Sequence, residues 1–247
     1  MSAGDDDLSA WRHSGAEEVY RDDDLWVLEK PAGVLSHPNP PIRKAPNALL
    51  SGVYNLKHES YQMGRREVFL VHRLDQEASG LIVCTFSAEP AARLKESLRV
   101  GGVEKEYRAL LLGVPRPSEG GWADHLKKRA GNRSATVTKG HGPTNACTLY
   151  RVLQSCGSDL ALLALRPQTG RTHQLRVQSA LRRCPILGDE RYGDFARNHA
   201  LRKLCPRRMY LHALRLSFDH PVTGAPVNLE SRLPKEFKKA WDALADE

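Results

Sequence analysis

The stretch whose reading decides the fold is 69-FLVHRLDQEASGLIV-83, with His72, Arg73, Asp75, Gln76 and Glu77 at its centre. Two apolar runs, residues 69–71 and 81–83, flank a charged knot that ends in Ser79 and Gly80. Short, bounded, β-branched runs of this kind read as buried strands. A loop between two core strands is either turn punctuation or a rigid mount for an acid. Taken alone, Asp75 reads as a turn former or as a partner for Arg73.

Working outward, strands are expected over residues 25–28, 34–36, 104–113, 122–126, 136–139, 146–153, 160–165, 210–218 and 227–230. Helices are expected over 49–56, from Ser87 as N-cap through about 99 with Gly101 as terminator, and over 172–183. A last helix is expected from Pro234, with Phe237, Trp241 and Leu244 on one face. Residues 127–134 read as a polar loop. Strands outnumber helices and often follow one another directly. This pattern predicts an α+β fold with a mixed, largely antiparallel central sheet flanked by helices and loops.

The 247 residues carry 37 Lys and Arg against 29 Asp and Glu, a net charge of +8. Residues 1–29 hold nine acids and two bases, whereas residues 166–208 hold eleven bases, ten of them Arg, and three acids. Guanidinium binds phosphate bidentately and keeps its proton, so the second segment suits a polyanion. No apolar run approaches the roughly 18 residues of a membrane span. The acidic start lacks the features of a secretory signal, so a soluble, cytoplasmic protein is expected. Five scattered cysteines, none in a Cys-x-x-Cys arrangement, argue against a disulfide framework or zinc site and read as free thiols.

Two further stretches carry candidate chemistry. Residues 166–176, RPQTGRTHQLR, run from a strand end through a Pro/Gly turn into a helix whose start carries Arg171, Thr172, His173, Gln174 and Arg176. Amide groups and two arginines there suggest an anion pocket. Lys105-Glu106-Tyr107-Arg108 sets a ring among bases, a setting in which Tyr107 can stack a nucleobase or serve cross-strand packing.

Together these blocks resemble the RluA-type RNA pseudouridine synthases. The likeness rests on His72-Arg73-Leu74-Asp75 with Ser79-Gly80-Leu81, on Lys105-x-Tyr107-x-Ala109 ending at Gly113, and on Thr169-Gly170-Arg171-Thr172-His173-Gln174-Leu175-Arg176. It extends to Pro185-Ile186-Leu187-Gly188-Asp189 with Tyr192-Gly193, Leu211-His212-Ala213 with His220-Pro221, and Glu29-Lys30-Pro31-Ala32-Gly33 with Ser36-His37-Pro38. The pattern departs at Ala78, where the family usually has Thr, and at Gln178, where it usually has His. The second departure is expected to shift RNA contacts. Residues 1–24 are too few and too acidic for the S4 domain of many relatives; they are expected to form a partly disordered extension ahead of a catalytic domain at 25–247.

The resemblance implies isomerisation of uridine to pseudouridine in structured ribosomal or transfer RNA, without cofactor or metal, by a monomer that needs no membrane or protein partner. It makes Asp75 the essential carboxylate, either nucleophile at C1′ or base at C2′. It makes Tyr107 the stacking ring and Arg176 the cation that keeps Asp75 ionised, with Arg171 in reserve. Arg73 is expected to enter the space the flipped base leaves. His72, Lys105, Thr172, His173, Gln174, Arg182 and Arg183 complete the expected RNA-binding set. The rival reading is a non-catalytic RNA-binding or ribosome-assembly protein on the same fold. A zinc deaminase would need a His/Cys/Cys set beside a Glu, which is missing.

Overall fold

The computed structural model describes residues 13–39, 41–129 and 136–245. β1 (Glu17–Arg21), β2 (Leu25–Lys30), β3 (Val53–Asn55), β4 (Ser60–Met63), β5 (Arg66–Leu70) and β6 (Ser79–Thr85) precede α1 (Ala88–Val100). Next come β7 (Glu104–Leu112), β8 (Glu119–Asp124), β9 (Leu126–Arg129), β10 (Thr136–Lys139), β11 (Ala146–Cys156) and β12 (Leu160–Pro167). The chain closes with α2 (Gln174–Leu181), α3 (Phe195–Ala200), a 3-10 turn at Leu201–Lys203, β13 (Leu211–Asp219), β14 (Pro226–Glu230) and α4 (Lys235–Ala245). This is the expected α+β class. The chain divides into two compact units, Met1–Val103 with Arg215–Ser231, and Glu104–Leu214 with Arg232–Glu247.

In the first unit β1 pairs with β2, β2 with β6, β6 with β5, β5 with β4 and β4 with β3, all antiparallel. The apolar runs of β2 (residues 25–28) and β6 (residues 81–84) are continuous because both of their faces are covered. Trp26, Leu28, Ile82 and Cys84 point into one core with Leu50, Tyr61 and Leu70. Their neighbours Leu25, Val27, Leu81 and Val83 point the other way, onto Leu94 of α1 and onto Leu216, Phe218 and Val227. Side chains alternate along a strand, so one run of residues feeds two cores. α1 ends as expected, with Gly101 at φ 86° donating its N–H to the Ser97 carbonyl.

Three expectations need correction here. The boundary at residue 24 falls inside the β1–β2 hairpin, where Trp26 Nε1 also donates to Glu18 at 2.8 Å; residues 1–12 lie outside the described residues. No helix covers 49–56. Leu49 and Leu50 are buried in a bent segment that leads into β3. At Gly52 an added Cβ would lie 2.5 Å from the Gln62 carbonyl oxygen, so the chain approaches β4 too closely for a helix with side chains. The expected strand over 34–36 is reduced to a parallel bridge between Leu35 and Ala48.

In the second unit β7 pairs with β12, β12 with β11 and β11 with β8, again antiparallel. Leu110, Leu112, Leu187 and Tyr210 pack with Phe237 and Ala240 of α4, and Trp241 and Leu244 join them as the helical spacing predicts. β9 and β10 form a separate hairpin, so residues 127–129 are strand rather than loop; 130–135 lie outside the described residues. Leu126 and Val137 of that hairpin pack against Val177 of α2. α2 covers eight residues of the expected 172–183.

Candidate active site

Asp75 sits where β5 hands over to β6 in the first unit. The hand-over is held at its start, where Val71 N–H donates to the Val83 carbonyl and Val83 N–H donates to His72 Nε2. His72 is therefore tied back to β6. Ser36 then locks the next residue twice. Its hydroxyl donates to the Leu74 carbonyl at 2.8 Å and accepts from Leu74 N–H at 3.0 Å. Beyond Asp75, the Gln76 carbonyl accepts from Gly33 N–H and from Lys30 Nζ, and Gln76 Nε2 donates to the Gly33 carbonyl. Ala78 N–H closes a turn onto the Asp75 carbonyl. Gly80 then enters β6 at φ 113°, opposite Lys30.

Lys30 is the anchor of this arrangement. It is fully buried, and its ammonium donates to the carbonyls of Pro31, Val34 and Gln76 at 2.9, 2.7 and 3.1 Å. A buried cation is tolerable only when its hydrogen bonds are made; here they fasten the 30–37 segment to the residue after Asp75. Arg73 is exposed and donates from Nη1 to His37 Nε2 at 2.8 Å.

In the second unit Tyr107 lies half-buried on β7, opposite Leu165 of β12. Strand alternation puts Lys105 on its face and sends Glu106 and Arg108 to the other. Glu106 is bound there by Arg108 at 2.5 Å and by Arg166 at 2.6 Å. Burial would raise its pKa, but the two guanidiniums outweigh it and hold the carboxyl below its ordinary value. The bases beside Tyr107 in sequence thus divide: Arg108 serves Glu106, and Lys105 shares the Tyr107 face. Burial lowers the Lys105 pKa.

The start of α2 is closed by Gln174 rather than by its own N-cap. Its side-chain oxygen accepts from Thr169 Oγ1 at 2.8 Å and from Arg171 N–H at 3.0 Å, and its amide nitrogen donates to the Cys147 carbonyl and Thr148 Oγ1. His173 occupies the N-cap at φ 52° and meets the Tyr192 hydroxyl at 2.8 Å. Thr172 and Arg171 are exposed, and Arg171 Nε donates to the Asn145 carbonyl.

Arg176 is 3 % exposed. Its Nε and Nη2 make a two-pronged pair with Asp189 at 2.8 and 2.9 Å, leaving Nη1 outside that pair. Burial pushes the Asp189 carboxyl up, but the Arg176 bond and charge, with the N–H groups of Arg191 and Tyr192, bring it below its ordinary value. Arg176 also lies 5.3 Å over the Tyr192 ring.

Arg182, an expected RNA contact, and Gln178, a departure expected to shift RNA contacts, both take internal roles. Arg182 donates from Nη1 to buried Asp124 at 2.5 Å and stacks 5.6 Å over Trp122, so its charge is spent inside the unit. Gln178 is fully buried. Its carbonyl accepts from Thr148 Oγ1, and its amide donates to Asp124 and to the Trp122 and Ala146 carbonyls. This departure from the family pattern alters a core network, not a surface. Arg183 is exposed.

The residues whose roles the sequence reading missed are Lys30, Ser36, His37 and Asp189. All four stand in matched blocks, and a Lys directly ahead of Pro31-Ala32-Gly33 at a strand end was the available signal. The five cysteines are free. Among the described residues the one grouping with metal-ligand character is Asp22, Asp24 and His220. The donor atoms of His220 and Asp22 are already engaged. His220 Nδ1 accepts from Val222 and Thr223 N–H, so Nε2 carries the proton and faces Asp22 at 3.1 Å. Asp22 also accepts from the Tyr20 hydroxyl and from Asp24 and Leu25 N–H.

A family model described as RNA pseudouridylate synthase matches residues 24–181, well over half of the chain. The chain belongs to this family and is an RNA pseudouridine synthase, an isomerase. Among its relatives, ribosomal large subunit pseudouridine synthase C of Rickettsia bellii is 32% identical over 225 residues, covering 90% of this chain and 69% of the relative. Ribosomal large subunit pseudouridine synthase D of Vibrio cholerae is 32% identical over 236 residues, covering 93% and 71%. The solved structure of human RNA pseudouridylate synthase domain containing 4 superposes with a TM-score of 0.69 at 27% identity, covering 96% of each chain.

Proposed function

We propose that this synthase acts on ribosomal RNA of the large subunit and that Asp75 is its reactive carboxylate. The substrate reading rests on the names of the relatives from Rickettsia bellii and Vibrio cholerae. The observation that carries the Asp75 reading is the mount. Ser36, Gly33 and Lys30 hold the residues on either side of Asp75 by five hydrogen bonds to backbone or from it. A turn that served only to reverse the chain would need no such frame.

In the reaction N1–C1′ of uridine breaks, the base turns, and C5 bonds to C1′; the proton leaving C5 is balanced by one gained at N1. Asp75 acts on the ribose, at C1′ as nucleophile or at C2′ as base. Tyr107 stacks the extruded base, offsetting part of an unstacking cost of a few kcal/mol with about 1–3 kcal/mol, and its hydroxyl assists the proton at C5. By the family pattern Arg176 is the cation assigned to the reactive carboxylate, and Asp189 fixes its guanidinium. Arg73 enters the space the extruded base leaves, and Arg73, Arg171 and Arg183, which are exposed, contact phosphate. The enzyme works as a cytoplasmic monomer without cofactor. Mapping pseudouridines across ribosomal and transfer RNA, with and without the protein, tests the target. New sites confined to transfer RNA would overturn the ribosomal reading.

A further inference from the structure

The contact between His37 and Arg73 assigns His37 a role that goes beyond the frame around Asp75. The Pro38 carbonyl can only accept a hydrogen bond, and it sits 2.8 Å from His37 Nδ1. The Arg73 guanidinium can only donate, and it sits 2.8 Å from Nε2. The two partners therefore fix one tautomer: Nδ1 carries the proton and Nε2 offers its lone pair. The ring cannot swing away, because it is buried and stacked on Tyr54 with centroids 4.6 Å apart and planes 9° apart.

The consequence lies in the charge of Arg73. In the same unit Arg93 is paired with Glu89, Arg99 with Glu96 and Lys95 with Glu59, so each of those cations is largely cancelled where it stands. Among the described residues Arg73 has no carboxylate partner. It is held by a neutral acceptor, two residues from Asp75, on the exposed side of the loop. Holding a cation with a neutral base fixes its position and leaves the whole charge, with its remaining N–H donors, for an anion.

We propose that His37 is a positioning residue that acts through Arg73, presenting an uncancelled guanidinium to a phosphate of the RNA at the Asp75 loop. This rests on the reading of Asp75 as the reactive group. Protonation of His37 would remove the acceptor and set a second cation against the first, releasing Arg73. The groups that bear on the ring are Arg73, Tyr54 and Glu59. Burial lowers the His37 pKa, the Pro38 carbonyl and Glu59 work against this, and Arg73 adds to the lowering. The acceptor form is thus secured at neutral pH and lost only on acidification below 6.5.

The test is a double-mutant cycle in which His37→Phe keeps a ring for Tyr54 but loses the acceptor, and Arg73→Ala removes the cation. Each single change is expected to lower kcat/KM on an RNA substrate by roughly tenfold, the low end for a hydrogen bond to a charged group. The double variant is expected to be no worse than Arg73→Ala, because the two residues act as one unit. His37→Gln, which can present an amide oxygen in place of Nε2, is expected to recover part of the loss and to lack the wild-type fall in kcat/KM on acidification. Additive losses, or a His37→Phe enzyme with wild-type kcat/KM, would overturn the proposal.

Repeating the cycle as RNA affinity in an Asp75→Asn background separates this inference from the reading it rests on. Non-additive binding there would support His37 even if Asp75 proved not to be the reactive group. NMR titration supplies a readout without turnover. Arg73→Ala should raise the His37 pKa toward 6.5, and an unchanged titration would show that the two side chains do not meet.

Discussion

Replacing Lys30 by Met tests how the Asp75 loop is held. The side chain is fully buried, and three carbonyls, of Pro31, Val34 and Gln76, accept from its ammonium. A hydrogen bond to a charged group contributes roughly 1.5–3 kcal/mol, so three amount to about 4.5–9 kcal/mol gross. Met fills nearly the same volume and removes the cost of burying a charge, which is several kcal/mol. The remainder is a net loss on the order of 1–5 kcal/mol, from three buried carbonyls left without their donor. The larger effect should be on chemistry. Gln76 adjoins Asp75, and a misplacement of about 1 Å in a reacting group can cost on the order of 100-fold. Urea unfolding gives the first quantity, and single-turnover pseudouridine formation under conditions where the variant is folded gives the second. A Lys30→Met protein within about 0.5 kcal/mol of wild type, the range of an inconsequential substitution, with an unchanged single-turnover rate would refute the reasoning.

Asp189→Asn should destabilise the fold by roughly 1.5–3 kcal/mol, because it turns the buried, charge-assisted pair with Arg176 into a neutral one; a urea midpoint near wild type would contradict this. Arg182→Ala should act on stability through Asp124 and leave the salt dependence of RNA binding unchanged. Arg183→Ala should instead make the slope of log K against log salt shallower by about 0.7–0.9, if it meets one phosphate; the opposite assignment of the two effects would show that the ion pair is not what holds Arg182. His212 is buried beside Arg208 and Arg108, and burial followed by those two charges lowers its pKa to about 3. The unfolded chain therefore binds a proton that the fold refuses between pH 6.5 and about 3, and stability falls with pH across that window. Between pH 7 and 5 this amounts to about 2 kcal/mol. Unfolding of His212→Gln measured across that range should lack this share of the loss, and a slope equal to wild type would exclude the histidine as its source.

What was legible in the sequence was local. Ser87 and Gly101 bracket α1 because a helix start and a left-handed stop are written within one turn of each end. The apolar runs around Asp75 marked the end of β5 and the middle of β6, because buried strand segments draw on apolar residues. The Asp75, Tyr107 and Arg176 motifs were visible as spaced blocks. What was not legible depends on residues far apart in the chain. Nothing near residues 49–56 announces that Gly52 lies against the Gln62 carbonyl. Likewise Arg182 finds Asp124, and Gln178 finds Thr148, across more than 25 residues, which placed an expected RNA contact and a departure expected to shift RNA contacts inside the unit. Arg176 was read as an active-site cation, yet the partner that orients it, Asp189, lies thirteen residues on with no periodicity to suggest it. α3 did carry a signal, since Asp194 accepts from Arg197 N–H as an N-cap, but six mostly exposed residues leave no apolar stripe.

The measurement that bears most directly on the central claim is pseudouridine formation by Asp75→Asn on large-subunit ribosomal RNA, alongside the wild-type chain and with unfolding and RNA affinity measured on the same preparations. The change removes the charge and keeps the shape, so the frame of Lys30, Ser36 and Gly33 should survive. The expected result is a folded protein that binds RNA with near-wild-type affinity and forms no pseudouridine. Substantial turnover by that folded, RNA-bound variant would contradict the assignment of Asp75 as the reactive carboxylate.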